Sequence, residues 1–425
     1  MSAYREMTKQ QLESELSSLM QSYGEYQAKG LSLDLSRGKP DSAQLDLSLP
    51  LLDALRPGDL LKSENGLDTR NYGGPDGIPE AKRLMAQLLD VLPQEVFVGG
   101  SSSLNLMHDC MSLGFTHGFP GGGGGWHKGN AKFLCPAPGY DRHFAVAEHF
   151  GFELITVPML GDGPDMNEVE RLVSNPAVKG MWCVPKYQNP LGITFSDEVV
   201  RRIAALTPAA GDFKIFWDNA YAVHDLYPGR GDVLLSLMDE LRKTGREDMA
   251  LIFASTSKIT FAGAGISALG ASEGNIAYIK KHLGLQTIGY DKINMLRHTK
   301  FLPDLNAVNA HMAKHAEILR PKFEAVLSAL DSNLSQAGIA DWTKPRGGYF
   351  ISLDVLPGCA ARTVQLCKEA GVIMTGAGAT FPYGKDNADR NIRIAPTFAS
   401  IGEIQEAAGL LCLCAKIACA EKLLA

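Results

Sequence analysis

Lys258 stands in a run of small residues whose surroundings suit a nucleophilic amine. The stretch STSKITFAGAG, from Ser255 to Gly265, follows the apolar run MALIFA, which predicts a buried strand that ends in a small-residue turn. Desolvation in such a turn lowers the pKa of a lysine, so that its neutral amine can attack a carbonyl carbon and form an imine. A surface lysine at a strand end would give the same pattern. Lys258 therefore indicates amine chemistry only together with other residues.

Polar residues at two other predicted strand ends could bind a phosphate and a ring nitrogen. In GGSSSLNLMHD, glycines and serines separate a strand from a helix, and backbone N–H groups at a helix N-terminus bind phosphate well. In FWDNAYAVHD, Asp218 ends an apolar strand, where a carboxylate is costly unless it meets a cation or hydrogen-bond donors. Asp218 could therefore hold a protonated ring nitrogen. A serine N-cap and an ordinary turn are the alternative interpretations of these stretches.

Tyr140 and Asn189 each follow a predicted strand within a proline-containing turn. In PAPGYDRHF the ring of Tyr140 could lie against a flat ligand, and in VPKYQNPLG the amide of Asn189 could donate to a phenolate oxygen. Each residue alone is more typical of turn packing. Because ligands bind at the carboxyl ends of strands in open α/β sheets, we expect these side chains to meet Lys258 and Asp218.

The elements that must position these residues form an α/β pattern. Short apolar runs alternate with helical stretches from about residue 80 to residue 300, which predicts a mostly parallel sheet. The predicted strands are EVFVG, AKFLCP, FELITVP, GMWCVP, FKIFWD and MALIFA. A helix at Asn309–Leu330 leads to a second region with the strands GGYFISLDV, GVIMTG and NIRIAP and a C-terminal helix. We expect a segment 1–46 that packs with the small domain, a large domain 47–308 and a small α+β domain 309–425.

The composition is that of an ordinary globular protein and excludes several classes of function. The chain has 425 residues, a formal net charge of -6 and a sequence pI of about 6.0, so no nucleic-acid partner is expected. The polar N-terminus and the lack of a long apolar run favour a cytoplasmic protein without a membrane partner. The eight cysteines lack metal-ligand spacing, so no metal site is expected.

Taken in chain order, these residues resemble the fold-type I pyridoxal-phosphate aminotransferases of class I/II. The resemblance runs from about Leu31 to Arg393, and NYGGPDGIPE, which contains Tyr72, is especially similar to aspartate aminotransferases. LSRGKPD, PGYDRHF, SKITFAGAG and DKINMLRH look closest to a divergent bacterial aspartate aminotransferase or MocR-like subgroup. MocR regulators carry a DNA-binding domain before this region, and the 30 residues that precede LSLDLSRGKP are too few for one. The resemblance implies a mostly parallel sheet between helices and a smaller α+β domain.

The resemblance implies pyridoxal 5'-phosphate as the cofactor and gives the residues above roles toward it. Lys258 would form a Schiff base and later move a proton between substrate and cofactor, while Asp218 would keep the ring nitrogen protonated. Asn189 and Tyr221 would bond the phenolate oxygen, and Tyr140 would stack on the ring. The implied catalytic residues are Lys258, Asp218 and Tyr221. The residues implied for the phosphate are Gly100, Ser101, Ser102, Ser103, Ser255 and Ser257, with Tyr72 from the partner in a homodimer with shared active sites.

The same resemblance implies a site for the substrate. Arg393 in RNIRIAP would clamp the α-carboxylate in a bidentate geometry that a lysine cannot reproduce, with Gly38 and Asn189 beside it. An acidic side chain would need a further cation. The candidates for that cation are Arg37, Lys39 and Arg297.

One arginine of the family pattern is missing. Members of the family carry an arginine for the cofactor phosphate shortly after the lysine, where this chain has Gly265 or Ile266. Lys292 and Arg297 in GYDKINMLRH are the candidates to replace it. We expect Lys292 to do so, reaching across the dimer interface to the other subunit's site.

The function implied is transamination of aspartate or glutamate with 2-oxoglutarate or oxaloacetate, by a ping-pong mechanism through the Lys258 Schiff base. A β-lyase or decarboxylase with the same cofactor is an alternative, because the residues around the cofactor do not distinguish these reactions. A non-catalytic regulatory relative is a third possibility. The presence of Lys258, Asp218 and Arg393 argues against that third reading.

Overall fold

The structure, a computed structural model, describes residues 4–425, so residues 1–3 of the predicted N-terminal segment lie outside the described residues. The strands are β1 Leu33–Asp34, β2 Val96–Gly99, β3 Lys132–Ala137, β4 Glu153–Leu160, β5 Gly163–Pro164, β6 Val178–Cys183, β7 Lys214–Asp218, β8 Ala250–Ser255, β9 Ser267–Gly270, β10 Ala340–Trp342, β11 Ile351–Val355, β12 Val372–Ile373 and β13 Asn391–Ile394. The α-helices are α1 Lys9–Ala28, α2 Ser42–Asp46, α3 Pro79–Leu89, α4 Ser103–Thr116, α5 Asp141–His149, α6 Met166–Leu172, α7 Asp197–Ala204, α8 Leu237–Arg242, α9 Glu273–Leu283, α10 Lys292–Phe301, α11 Leu305–Leu334, α12 Ala360–Glu369 and α13 Ile401–Leu424.

A central sheet of eight strands has the order β2-β9-β8-β7-β6-β3-β4-β5. The strands from β4 through β3, β6 and β7 to β8 pair in parallel. β9 runs antiparallel to β8 and β2, and β5 runs antiparallel to β4. The six strands predicted from the sequence correspond to β2, β3, β4, β6, β7 and β8. β9 was not predicted, because its sequence SALG has no β-branched or aromatic residue.

The central sheet is covered on both faces, which explains its continuous apolar strands. Every residue of β7 is buried, and its side chains alternate between two hydrophobic clusters. Phe216 packs with Phe253 of β8 on one face, while Ile215 and Trp217 face the other cluster. Asp218, the last residue of β7, therefore lies at the end of a fully buried strand.

The second region contains a three-stranded antiparallel sheet, β10-β11-β13, and the helices α11 to α13. The N-terminal helix α1 packs on it, because Leu12, Leu19 and Tyr23 share a hydrophobic cluster with α13. The Tyr23 hydroxyl donates to the carbonyl of Leu366 at 2.8 Å, and β1 pairs in parallel with β12. The segment after β1 then leads from this region toward the carboxyl edge of the central sheet.

Candidate active site

A cavity of about 550 Å³ opens where the parallel strands of the central sheet end. It is lined by residues that come from both sheets and from the segment after β1. The predicted site residues among them are Arg37, Gly38, Ser102, Ser103, Tyr140, Asn189, Asp218, Tyr221, Ser257, Lys258 and Arg393. The structure thus brings together most of the residues that the sequence pattern singled out.

One carboxylate oxygen of Asp218 is hydrogen-bonded to the protein, and the other is not. Its Oδ2 accepts a hydrogen bond from His143 Nε2 at 3.0 Å, and the His143 ring stacks on Trp182 with centroids 4.4 Å apart. Its Oδ1 is buried, and no group within residues 4–425 donates to it. A buried carboxylate oxygen without a donor is costly, so this atom is ready to accept from a ligand.

Lys258 lies in the turn after β8 and lines the same cavity. Its Nζ is 5.2 Å from the ring centroid of Tyr221 and 6.0 Å from that of Tyr349. Burial lowers the pKa of Lys258, and the charge of Asp218 offsets part of this effect. The lowered pKa increases the share of neutral amine, which is the nucleophilic form.

The N-terminus of α4 forms the polar end of the cavity. Ser102 is its N-cap residue but makes no side-chain capping bond, so its hydroxyl is not committed to the helix. Near the end of β8, Ser255 and Ser257 share a hydrogen bond between their hydroxyl oxygens at 2.7 Å, and Ser257 lines the same cavity. Hydroxyls and free backbone N–H groups at a helix N-terminus suit a phosphate. Gly100 and Ser101 line a neighbouring cavity of about 390 Å³.

Arg393 of β13 is only 8% exposed and is held by several partners. Its Nη1 donates to Asp141 Oδ1 at 3.0 Å and to Asn189 Oδ1 at 3.3 Å, and its Nε donates to the hydroxyl of Thr375 at 3.3 Å. The guanidinium also lies 4.9 Å from the ring centroid of Phe350. These contacts orient a planar cation at the cavity wall before a ligand binds.

Gly38 is required by close packing. A Cβ atom at this position would collide with the ring of Phe350, so a side chain fits only if that ring moves. Gly38 therefore lets the backbone lie against the aromatic wall beside Arg393. Its neighbours Arg37 and Lys39 are exposed, and Arg37 lines the cavity.

Three residues predicted for the cofactor line neither of these two cavities. They are Ser255, Tyr72 and Lys292. Tyr72 is 78% exposed. Lys292 is 5% exposed, and its side chain runs next to Gly74 and Gly289 rather than along either cavity wall. The assignment of Tyr72 and Lys292 to a partner's site stays a prediction.

The sequence pattern did not indicate several residues that shape the site. His143 and Trp182 support Asp218, and Asp141 and Phe350 contact Arg393. A third arginine, Arg142, lines the cavity together with Arg37 and Arg393. The one available signal was the position of Asp141, Arg142 and His143 directly after Tyr140 in PGYDRHF, at the start of α5.

The family model for aspartate amino-transferase matches residues 7–425 of the chain. The chain belongs to the aspartate aminotransferase family. An aspartate aminotransferase of Corynebacterium glutamicum is 46% identical over 400 residues, which cover 94% of this chain and 92% of that protein. A Mycolicibacterium smegmatis protein named as an aminotransferase is 49% identical over 408 residues, 95% of this chain and 94% of its own. The crystal structure of an aspartate transaminase from Corynebacterium glutamicum matches with a TM-score of 0.96 and 43% identity, covering 99% of both chains.

These matches confirm the predicted family and the fold-type I architecture, and the protein is an aminotransferase. The family implies pyridoxal 5'-phosphate, small-molecule substrates and commonly a dimer. The residues of this aminotransferase fit that cofactor, because the open Oδ1 of Asp218 can accept from a protonated ring nitrogen. No helix within residues 4–425 of the aminotransferase is long and apolar enough to cross a membrane.

Proposed function

We propose that this aminotransferase moves the amino group of aspartate or glutamate to 2-oxoglutarate or oxaloacetate, with pyridoxal 5'-phosphate, in a ping-pong cycle. The observation that carries the proposal is one cavity that combines the amine of Lys258, the carboxylate of Asp218 and the guanidinium of Arg393. When bound, the cofactor supplies an electron sink that stabilises negative charge at the substrate Cα. Each of these three residues meets one chemical need of that reaction.

The cofactor would be held by a basic side chain, Lys258, and an acidic one, Asp218. Lys258 supplies the amine for the covalent link, and Asp218 keeps the ring nitrogen protonated through its open Oδ1. Asn189 and Tyr221 donate to the phenolate oxygen, since the Oδ1 of Asn189 already accepts from Arg393 and leaves Nδ2 as its donor. The ring of Tyr140 lies against the cofactor ring.

The phosphate would lie at the N-terminus of α4. The groups proposed for it are the backbone and hydroxyl donors of Gly100, Ser101, Ser102, Ser103, Ser255 and Ser257. Tyr72 would reach the phosphate of the partner subunit, which makes a homodimer the active species. The 78% exposure of Tyr72 supports this, because the hydroxyl is free to contact another chain.

The substrate would be held by arginines at its two ends. Arg393 binds the α-carboxylate, with Gly38 and Asn189 next to it. Arg37 and Arg142 are exposed cations on the same cavity, and either can neutralise the side-chain carboxylate of aspartate or glutamate. The name of the Corynebacterium glutamicum relative supports this substrate class.

Lys258 would then act on the proton at the substrate Cα. The lowered pKa of its amine allows it to take up that proton and to return it to another atom. The buried walls formed by Tyr221 and Phe350 exclude water, which strengthens the attraction between Arg393 and a carboxylate. We also propose a cytoplasmic location for the protein. The proposed domains are residues 47–308 and 309–425, and α11 spans the boundary between them.

The test is the absorption spectrum of the purified protein supplied with pyridoxal 5'-phosphate. We expect a visible band that L-aspartate removes and 2-oxoglutarate restores, and no such band in the matched control Lys258→Ala. A parent protein without the band would contradict the proposal. A band that aspartate leaves unchanged, while a cysteine-type substrate is cleaved, would favour the β-lyase alternative.

A second pair of variants tests the acidic substrate. Arg37→Gln and Arg142→Gln each remove one exposed cation from the cavity. The variant that lacks the binding cation should raise KM for aspartate while leaving the slow reaction with alanine unchanged. Unchanged aspartate kinetics in both variants would exclude these two arginines as the site of the side-chain carboxylate.

A further inference from the structure

The turn after Lys258 provides no cation for a phosphate. Gly265 has no side chain, and its carbonyl accepts from Asn294 Nδ2 at 2.9 Å. The side chain of Ile266 is 2% exposed and packs in a hydrophobic cluster on one face of the central sheet. A dianion bound near the serines of α4 would therefore need a positive charge from another element.

Helix α10 is hydrogen-bonded to this turn and carries an arginine close to it. Asn294 Nδ2 donates to the carbonyls of Ala264 and Gly265, at 3.1 Å and 2.9 Å. One turn later on α10, Arg297 donates through Nη2 to Asn294 Oδ1 at 2.6 Å. The amide of Asn294 thus links the guanidinium of Arg297 to the backbone of Gly265.

Only some of the N–H donors of the Arg297 guanidinium are hydrogen-bonded to the protein. Its Nε is buried, and no acceptor within residues 4–425 bonds to it. A buried guanidinium N–H without an acceptor is costly. The free Nε–H therefore indicates that a bound anion accepts a hydrogen bond from it. The side chain as a whole remains partly exposed, which leaves it open to a ligand.

The side chain of Arg297 lines the neighbouring cavity of about 390 Å³. That cavity is lined by Gly100, Ser101, Gly265, Tyr290, Asn294 and Arg297. Ser101 is followed by Ser102 and Ser103, which line the larger cavity, so the serine run at the start of α4 contributes to both cavities. Lys258 therefore shares one cavity with Ser102 and Ser103, and Arg297 shares the other with Gly100 and Ser101.

We propose that Arg297 of the same subunit, and not Lys292, is the cation that binds the cofactor phosphate. This rests on the proposed function, because it takes pyridoxal 5'-phosphate as the cofactor. Arg297 offers several N–H donors in one plane and so matches the geometry of a phosphate. Lys292 lies beside Gly74 and Gly289 and is 5% exposed, so its amine is confined within its own chain.

The test compares two cofactor forms on cofactor-free protein. Pyridoxal 5'-phosphate and pyridoxal both carry the aldehyde, and only the first carries the phosphate. We expect Arg297→Gln to weaken binding of pyridoxal 5'-phosphate on the order of 10- to 100-fold, measured by the visible band, with pyridoxal binding unchanged. Arg297→Lys should restore part of the loss, and the matched control Lys292→Gln should bind both compounds as the parent does.

A second readout uses a competitor that carries a phosphate and no aldehyde. Inorganic phosphate should compete with pyridoxal 5'-phosphate for the parent protein and compete less for Arg297→Gln. Equal binding of pyridoxal 5'-phosphate by parent and Arg297→Gln, or a larger loss in Lys292→Gln, would overturn this inference alone. An equal loss for pyridoxal would also overturn it, because the effect would then be on folding. A parent that forms no visible band with either compound would overturn the proposed function and this inference with it.

Discussion

His298 should make the protein lose stability in acid. The residue is fully buried between α10 and the turn that carries Lys258. Its Nδ1 donates to the carbonyl of Asn294 at 2.8 Å, and its Nε2 accepts from the hydroxyl of Thr260 at 2.9 Å. Both bonds are made by the neutral ring. Burial lowers the pKa of His298 from 6.5 to about 4, and the charge of Arg297 contributes to this effect.

The sign and size of the effect follow from proton uptake. As the pH falls below 6.5, the unfolded chain protonates this histidine, whereas the folded chain does not until the pH reaches about 4. The stability that the neutral ring contributes is therefore complete above the unfolded pKa and is lost toward the folded pKa. A difference of this size between two pKa values corresponds to about 3 kcal/mol in the free energy of unfolding.

The variant His298→Gln removes the titration but keeps a polar side chain. It should be less stable than the parent near about pH 7, and on acidification to about pH 4 it should lose about 3 kcal/mol less than the parent. Urea unfolding of the cofactor-free protein, followed by tryptophan fluorescence at several pH values, measures both quantities. In the control His149→Gln, at the exposed end of α5, the loss should match the parent. Equal acid losses in the parent and in His298→Gln would refute the reasoning.

Three further predictions concern the cavity. Arg393→Lys should lower kcat/KM by about 10- to 100-fold and keep the visible band, because lysine cannot bind a carboxylate through two parallel bonds; a lost band would contradict this. Asp218→Asn should slow turnover at least about 100-fold in steady-state assays, because the ring nitrogen loses its anionic partner, and a parent-like rate would exclude that role. Gly38→Ala should lower the free energy of unfolding by about 1–3 kcal/mol, because its Cβ meets Phe350. The control Gly24→Ala lies on a helix with open space around it and should stabilise the protein by about 0.5–1 kcal/mol in the same denaturation assay.

The sequence predicts the large sheet well because its central strands β3, β6, β7 and β8 are buried on both faces and have continuous apolar sequences. For the same reason the polar residues at strand ends, such as Asp218 and Lys258, stand out as candidates and do meet in one cavity. β9 escapes prediction because SALG carries no strand signal of its own, and its neighbours in the sheet decide its conformation.

The supporting contacts of the site escape prediction for a different reason. His143 and Asp218 are far apart in the chain, and only the order of β3, β6 and β7 brings them together. The orientation of Arg297 likewise depends on the contact between α10 and the turn after Lys258, which no local pattern encodes. Residues that reach a partner subunit, as proposed for Tyr72, depend on an assembly that a single chain does not contain.

The stacked pair of Trp182 and His143 gives the protein an optical reporter of its own. The indole and imidazole planes are nearly parallel, at 10°, and the imidazole is one hydrogen bond from Asp218. A ligand that binds Asp218 and moves the His143 ring should therefore change the emission of Trp182, which fluorescence detects without any added label.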